Sequence, residues 1–212
     1  MDKKANSDKT ASKSKHSIYT FGISGSKADK LLSIIHRYNI KEVIDVRFNP
    51  ESSDNSELEK DNLAGILENA KIKYTYSADL SSKYKNAKSL MMNSGWKNHM
   101  FKMYADYMQT PDFINGLNKL IVKLKNYNIL IICNEKLPTE CHRYLIADAL
   151  FIRHKVVYHL LDEYTPKKHV LTKFAKVSGL RIFYPAYRTN KVTKRSRVNA
   201  KTRKPDRKPK DR

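Results

Sequence analysis

Short apolar segments with the composition of β-strands alternate with helical patterns along most of this chain. β-Branched and aromatic residues fill the segments that we predict as strands: 17–21, 41–46, 72–76, 128–133 and 155–160. Helical spacing of apolar residues predicts helices that begin after Ser26, run through Leu58–Leu67, and cover 99–108, 111–125 and 141–154. Ser26 is the predicted cap of the first helix, and Thr110 is the predicted cap of the helix at 111–125. Strands that alternate with helices form a mostly parallel sheet covered on both faces, with right-handed crossovers. The sequence therefore predicts an α/β fold, a Rossmann-like three-layer sandwich with a mostly parallel sheet of about five strands.

The chain is long enough for one domain of ordinary size with two tails. It has 212 residues, and we place a single α/β domain at 17–187. Segments 1–16 and 188–212 lack an apolar period and are rich in Ser, Lys, Asn and Pro, a composition that predicts disorder. We interpret 161–187 as a peripheral extension. We expect its aromatic side chains to pack on the core: Tyr164, Phe174, Phe183, Tyr184 and Tyr187.

A large positive charge indicates a polyanionic partner. The chain carries 42 Lys and Arg against 21 Asp and Glu, for a formal net charge of +21. Residues 188–212 hold twelve Lys or Arg and two Asp and contribute +10, while 1–16 contribute +3, which leaves +8 for the domain. Basic tails bind polyanions by counterion release without reading sequence. We expect nucleic acid as the partner, DNA rather than RNA, with tail contacts from Lys194, Arg195, Arg197, Lys201, Arg203 and Lys204. The alternatives are a solubilising tail or an anchor to ribosomes or a membrane surface.

The sequence gives no sign of a membrane span or of secretion. No segment reaches the ~18 apolar residues of a membrane helix, and the first residues lack the apolar stretch of a secretory signal. Both cysteines lie in one region, so we expect reduced thiols rather than a disulfide framework. The expected location is the cytoplasm, in association with nucleic acid or the nucleoid. The sequence does not indicate an oligomeric state.

The residues with most chemistry follow the predicted strand at 128–133. The segment 129–143 reads ILIICNEKLPTECHR and passes from this strand through a polar loop to a predicted helix. Asp45 and Arg47 follow the second strand, and the loop 22–26 follows the first. Because parallel strands end at one edge of a sheet, we expect these residues to face each other across a cleft there.

Four groups of residues along this scheme form recognisable motifs. They are Tyr19-Thr20-Phe21-Gly22-Ile23-Ser24, Asp45-Val46-Arg47 with Pro50, Tyr107-Met108 with Thr110 and Phe113, and Cys133-Asn134-Glu135 through Cys141-His142-Arg143 with Ile146 and Leu150. Together they resemble the domain of unknown function 488 family over residues 17–160, and the Cys-x-Glu…Cys-His-Arg element is the most specific part. The resemblance implies a Rossmann-like α/β domain, in a family suspected of processing nucleic acids or nucleotides. The polar positions of the family map here to Asp45, Arg47, Cys133, Glu135, Cys141, His142 and Arg143. Ser24-Gly25 departs from the more polar loop expected, and the tails lie outside the match.

Two carboxylates and two arginines are candidates for catalysis and anion binding. Asp45 and Glu135 are candidate general acid/base residues that would activate water and protonate a leaving group. Arg47 and Arg143, the second at a helix start, are candidate phosphate ligands. The same candidate substrate site includes Gly22, Ser24 and Cys133. The alternatives are structural: Asp45 bonds loop amides, Glu135 pairs with Arg47, and Arg143 pairs with either carboxylate.

Cys141 and His142 are candidate catalytic residues of a different kind. A thiol at a helix start beside a histidine is expected to have a lowered pKa, which suits a nucleophile. Cys133 ends an apolar strand and also has the character of a small core residue. Zinc binding by Cys133, Cys141 and His142 would use an unusual spacing and a fourth ligand such as His99 or His159. We therefore expect no metal and no other cofactor.

These observations favour a nucleic-acid-processing enzyme. We expect a hydrolase, similar to a DNA glycosylase, that acts on a base, an N-glycosidic bond or a phosphoester in DNA repair or modification. One alternative is a non-enzymatic nucleic-acid-binding or assembly protein. The other is a Cys-dependent nucleotide transferase or phosphatase-like enzyme. Aromatic residues near the long loop at 77–98 would either stack on unpaired bases or pack in the core: Tyr74, Tyr76, Tyr84 and Trp96.

Overall fold

The structure is a computed structural model, and it describes residues 15–51, 53–81 and 88–186. The basic C-terminal tail and its candidate nucleic-acid ligands lie outside the described residues, as do Tyr84 and Tyr187. Among the helices of the described ranges, none combines the length and the apolar character that a membrane crossing requires.

Parallel strands make up most of the central sheet. In chain order its strands are β1 (Ile18–Gly22), β2 (Ile40–Asp45), β3 (Lys73–Tyr76), β4 (Asn128–Cys133), β5 (Val157–Leu160) and β6 (Pro166–Lys168). The spatial order is β3-β2-β4-β1-β5-β6, and β6 runs antiparallel to β5 at the edge. A separate hairpin is formed by β7 (Lys176–Ser178) and β8 (Arg181–Phe183). The predicted α/β fold with a mostly parallel sheet is confirmed, while β6, β7 and β8 were not predicted.

Helices cover both faces of the sheet. They are α1 (Ala28–Arg37), α2 (Lys60–Asn69), α3 (His99–Tyr107), α4 (Pro111–Lys123) and α5 (Arg143–Phe151), with short 3-10 turns at Ser56–Leu58, Met91–Asn93 and Pro138–Glu140. Alternation along β4 divides the core: Leu130 and Ile132 pack with α1 and α2, whereas Ile129 and Ile131 pack with α3, α4 and α5. Each of these buried side chains stabilises the fold by about 1.5–3 kcal/mol. The result is the predicted three-layer sandwich.

Two helix starts compare directly with the predicted caps. Thr110 caps α4 as predicted, because its Oγ1 accepts a hydrogen bond from the N–H of Phe113 at 3.4 Å. Ser26 does not cap α1; the carboxylate of Glu57 accepts a hydrogen bond from the N–H of Ala28 at 3.3 Å instead. The prediction for Ser26 was wrong because a side chain remote in sequence supplies the acceptor that the helix start needs.

The extension after β5 packs on the core in part. Tyr184 is fully buried, and the ring centroids of Tyr184 and Phe174 lie 5.3 and 4.8 Å from that of Trp96. Trp96 is therefore a partly buried member of an aromatic cluster that packs against the core, which favours the packing alternative over stacking on bases. Tyr164 is 69 % exposed and its ring lies against the Arg37 guanidinium. The expectation that Tyr164 packs on the core was wrong.

Candidate active site

A cavity of about 220 Å³ opens where β4 ends, at the carboxyl edge of the sheet. Four of the residues singled out in the sequence line it together: Cys133, Glu135, Cys141 and His142. Its remaining lining comes from Phe48, Asn98, Met100, Phe101, Tyr104, Asn134 and Glu140. The loop after β4 thus forms one wall, and residues at the start of α3 form the other.

A larger cavity of about 300 Å³ lies between β3 and α4. Its charged groups are already paired: Lys119 Nζ is 2.9 Å from the Asp79 carboxylate, and Lys123 forms an ion pair with the buried Glu42 carboxylate. None of the described residues that line it carries a thiol or an imidazole. We therefore place the candidate active site in the smaller cavity.

His142 has a defined orientation in the cavity wall. Its Nε2 lies 3.0 Å from the carbonyl oxygen of Val46, and a carbonyl can only accept a hydrogen bond. Nε2 therefore carries the proton, and in the neutral ring Nδ1 presents a lone pair. Nδ1 lies 3.8 Å from Cys141 Sγ and 3.9 Å from Cys133 Sγ. The Tyr104 ring packs against the imidazole, with centroids 4.8 Å apart. The fold thus directs a lone-pair nitrogen at two sulfur atoms.

The two thiols have different acidities because they interact with each other. Burial alone would raise the pKa of the Cys141 thiol. The neighbouring Cys133 thiol and the proximity of His142 and Arg143 reverse that effect and hold this pKa well below its usual range. The neighbouring Cys141 thiol, together with burial, raises the pKa of Cys133. The pair therefore favours a thiolate on Cys141, as expected from the sequence.

Asp45 and Arg47 are buried and do not line the cavity. Both side chains are fully buried, and Arg47 Nη2 donates to Asp45 Oδ2 at 2.6 Å while the Arg47 N–H donates to Oδ1 at 3.0 Å. The Tyr74 hydroxyl donates to the same carboxylate at 2.7 Å, and Arg47 Nη1 donates to the Leu58 carbonyl at 2.7 Å. Burial and the Asp45 charge raise the pKa of Tyr74. Asp45 thus binds a loop amide, the structural alternative considered from the sequence, and it also pairs with the Arg47 guanidinium. Neither residue lines the cavity.

Arg143 also acts on the protein itself. It is 1 % exposed, and its Nη1 and Nη2 donate to the carbonyls of Glu135 at 2.6 Å and Lys136 at 3.0 Å. The guanidinium therefore holds the loop after β4. No ion pair of Arg143 with Asp45 or Glu135 is found among the described residues, and a role as phosphate ligand stays a prediction. Its Nε has no hydrogen-bond partner among the described residues.

Gly22 and Ser24 position the same loop through their backbone. The N–H of Ile23 donates to the Cys133 carbonyl at 2.9 Å, and the N–H of Ser24 donates to the Asn134 carbonyl at 3.0 Å. A Cβ atom at Gly22 would lie 1.9 Å from the Glu135 carbonyl oxygen, so only glycine allows this approach. The Ser24 side chain is exposed and does not line the cavity.

The side chain of Glu135 is not used to hold the loop in place. Its backbone is held by Arg143, while its side chain is exposed and lines the cavity. Among the described residues its carboxylate has no hydrogen-bond or ion-pair partner. Glu140 is a second exposed carboxylate in the same lining, and it was not among the residues selected from the sequence. The aromatic and amide wall from 98–104 was also not predicted, because only long-range packing brings α3 to this edge.

A second polar group lies deeper, between β1, β5 and α5. Thr20 Oγ1 is 2.7 Å from His159 Nδ1, His159 Nε2 is 2.9 Å from His169 Nδ1, and His169 Nε2 is 2.9 Å from Asp148 Oδ1. All four residues are buried, and Tyr184 donates to Asp148 at 2.9 Å. One set of neutral tautomers satisfies the whole chain, with each donor pointing towards Asp148. Burial, together with nearby positive groups, lowers the pKa of His159 to about 3.

Comparison with known proteins gives one result. The model of the family described as "Domain of unknown function DUF488" matches residues 27–150, more than half of the chain. Neither the curated proteins nor the solved structures give a match.

Proposed function

Since the chain belongs to the DUF488 family, whose description assigns no reaction, we propose its function from the chemistry of the cavity. The protein is a nucleic-acid-processing hydrolase that acts on a base or on its N-glycosidic bond, with Glu135 as the general acid/base. The observation that carries this proposal is the exposed Glu135 carboxylate, which has no partner within the part of the chain that the structure describes and which shares the cavity lining with aromatic side chains. A carboxylate so placed can activate water or protonate a leaving group.

The lining favours a base over a phosphate. None of the described lining residues is a lysine or an arginine, while Glu135 and Glu140 both are carboxylates that repel an anion. The lining includes three aromatic side chains, Phe48, Phe101 and Tyr104, and Phe48 is 56 % exposed, so its ring is accessible for stacking on the flat surface of a base. Phosphoester cleavage, which the sequence also allowed, loses its support because Arg47 and Arg143 are bonded to protein groups.

The charge distribution supports a polyanionic substrate outside this cavity. The net charge of +21 would attract a phosphate backbone, and the cavity would receive only one extruded group. A target inside a duplex must be flipped out of the stack before it can enter. Single-stranded DNA is therefore the first substrate to test.

The test compares Glu135→Gln with Glu140→Gln, because both side chains are exposed and line the same cavity. Single-stranded and duplex DNA and RNA oligonucleotides are incubated with each protein, and released bases, altered bases and shortened strands are measured by chromatography and mass spectrometry. We expect released or altered bases, about 10²–10⁴-fold slower formation with Glu135→Gln, and near-normal rates with Glu140→Gln. DNA binding, measured separately, stays unchanged in both variants.

Other outcomes identify the alternatives. Shortened strands alone would contradict the choice of a base. Equal rates in wild type and Glu135→Gln would remove the proposed acid/base role. Binding without any product under all conditions would favour the non-enzymatic nucleic-acid-binding protein.

A Cys-dependent transferase is the second candidate, and it is favoured by the 3.8 Å distance between Cys141 Sγ and His142 Nδ1. Such an enzyme forms a covalent intermediate with its substrate. Mass spectrometry of the acid-quenched protein after incubation with nucleotides would show added mass on wild type and none on Cys141→Ser. No adduct at any time point would exclude this mechanism for the nucleotides tested.

A further inference from the structure

We propose that Cys133, Cys141 and His142 bind one zinc ion in the wall of the cavity, with the fourth coordination position open to water. Zinc binding is independent of what the protein acts on. Only the catalytic use of the zinc-bound water rests on the function proposed above.

The three donor atoms already have nearly the spacing that zinc requires. A tetrahedral site with Zn–S bonds of about 2.3 Å and a Zn–N bond of about 2.0 Å keeps its ligand atoms about 3.5–3.8 Å apart. His142 Nδ1 is 3.8 Å from Cys141 Sγ and 3.9 Å from Cys133 Sγ, and all three donor atoms lie within 4.8 Å of one another. To complete the three protein bonds, the Nδ1–Sγ distances need to shorten by up to about 0.4 Å, and the two sulfur atoms need to approach each other by up to about 1 Å.

The imidazole is held as a metal-binding histidine is held. The Val46 carbonyl accepts the Nε2 proton at 3.0 Å, so the lone pair of Nδ1 points towards the sulfur atoms. Histidine ligands of metals almost always donate their other N–H to such a partner, which fixes the tautomer and the ring orientation. Packing of Tyr104 on the ring adds a further restraint.

The donor set selects the metal. Two thiolates and one imidazole are soft to borderline ligands that suit zinc and do not suit Mg²⁺ or Ca²⁺, which prefer oxygen. Two thiolate charges also balance the double positive charge of the ion. Both cysteines are free and buried, at 5 % and 2 % exposure, so bulk solvent does not compete strongly for them.

The fourth position faces the cavity. Of the two histidines considered from the sequence, His159 has both ring nitrogens bonded, to Thr20 and to His169. His99 is exposed at the start of α3 and does not line the cavity. Three protein ligands with one water are typical of catalytic zinc sites, whereas structural sites are closed by a fourth side chain.

An open zinc site would complement the role proposed for Glu135. A zinc-bound water loses its proton near neutral pH, and Glu135 in the same cavity would accept that proton. The resulting hydroxide then attacks the substrate carbon, and Glu135 returns the proton to the leaving nitrogen. One water is consumed for each carbon–nitrogen bond broken, and no oxidant or reductant is needed.

The test measures metal on the purified full-length protein, free of any affinity tag, by plasma mass spectrometry. We expect one zinc per chain in wild type and loss of that zinc in Cys133→Ser, Cys141→Ser and His142→Ala. The matched control is His36→Ala, because His36 is an exposed histidine on α1 that does not line the cavity. This variant should retain one zinc per chain. Circular dichroism shows whether each variant is folded.

A second readout does not depend on variants. Cobalt added to the metal-free wild-type protein should produce thiolate-to-cobalt charge-transfer absorption, and zinc should abolish it. Zinc should also protect both thiols from alkylation until a chelator is added. Absence of zinc together with absence of the cobalt spectrum would overturn the proposal, and so would a Cys133–Cys141 disulfide in freshly purified protein.

The two proposals fail in different ways. Hydrolysis that persists in chelator-treated, metal-free protein would refute the catalytic use of a zinc-bound water and leave the hydrolase proposal intact, while the metal analysis alone decides whether zinc binds. One firmly bound zinc with no product from any oligonucleotide would establish the metal site and refute the hydrolase proposal.

Discussion

The buried histidine chain predicts a loss of stability when the pH is lowered below neutrality. His159 is bonded at both ring nitrogens, to Thr20 and to His169, and is 3 % exposed. A proton added to its Nδ1 would meet no acceptor other than the Thr20 hydroxyl, and the charge would be buried. Burial and neighbouring positive charge therefore lower its pKa from the ordinary 6.5 to about 3.

Proton linkage gives the direction and the size of this change in the free energy of unfolding. Between the two pKa values the unfolded chain binds a proton on His159 and the folded protein does not, so acid favours unfolding. Each pH unit below 6.5 lowers the free energy of unfolding by about 1.4 kcal/mol until the pH approaches 3. From this residue alone we expect a loss of about 2 kcal/mol between pH 7 and pH 5. No such loss occurs above pH 7, where both states are neutral.

The assay is urea unfolding of metal-free protein at several pH values between 7 and 5, for wild type and His159→Gln. A glutamine amide can accept from Thr20 and donate to His169, and it does not titrate. The variant should therefore lose about 2 kcal/mol less than wild type over this interval. Carboxylates titrate equally in both proteins, so their effect cancels in the comparison. Parallel curves for the two proteins would refute the assigned role of His159.

Two further substitutions test the packing beneath the cavity. Gly22→Ala should destabilise the protein by about 1–3 kcal/mol or more in urea unfolding, because the new Cβ would lie 1.9 Å from the Glu135 carbonyl oxygen. The control is Gly65→Ala in the interior of α2, where a new Cβ would meet no described atom within 4 Å beyond its own helix backbone, so this variant should be as stable as wild type or more stable. Equal destabilisation by the two substitutions would contradict the packing argument. Asp45→Asn should cost about 3–5 kcal/mol by the same measurement because it leaves the buried Arg47 guanidinium without its counter-charge. Glu51→Gln, which breaks an exposed pair, is the control, and an Asp45→Asn protein as stable as this control would refute the assignment.

The sequence predicted the sheet well because the strands carry their own signal. The apolar run at 128–133 is bounded by polar residues, and its bounds as β4 were correct. The strands after β5 were not predicted because their sequences carry no such signal. β6 and β7 are three-residue, fully exposed strands, and pairing partners rather than hydrophobic alternation define them. The cap at Ser26 failed because Glu57, remote in sequence, occupies that role.

The residues of the candidate site could likewise be predicted where the local sequence carries the signal, and could not where contacts remote in sequence decide. Cys133, Glu135, Cys141 and His142 could be selected because they follow one strand in a single loop, which a parallel sheet places at its edge. Asp45 also follows a parallel strand at the same edge of the sheet, yet its carboxylate is bound by Arg47, two residues away, and does not line the cavity. A sequence does not show whether a carboxylate at a strand end faces the cavity or its own neighbour. Zinc binding by Cys133, Cys141 and His142 was considered from the sequence and set aside because their spacing is not a recognised pattern, although the structure brings their donor atoms together.

Arg143 provides the sharpest link between the fold and the proposed zinc site. Its fork of two N–H groups holds the carbonyls of Glu135 and Lys136, and thereby fixes the loop that joins Cys133 to Cys141. Lysine keeps the charge at this position, but it lacks the planar fork and can satisfy the two carbonyls less well. We expect Arg143→Lys to weaken zinc binding about 10–100-fold, as removal of supporting groups around a metal site commonly does, while both thiols remain.

Zinc affinity of the metal-free proteins would be measured by competition with a chelator of known affinity. Arg153→Lys is the matched control, because Arg153 donates to the Ala149 carbonyl at the end of α5 and does not line the cavity. Unchanged affinity in Arg143→Lys would mean that the donor atoms converge without the loop restraint. Equal weakening in both variants would indicate a general loss of stability. Only a selective effect at Arg143 supports the view that this buried arginine, first considered a phosphate ligand, positions the donor atoms.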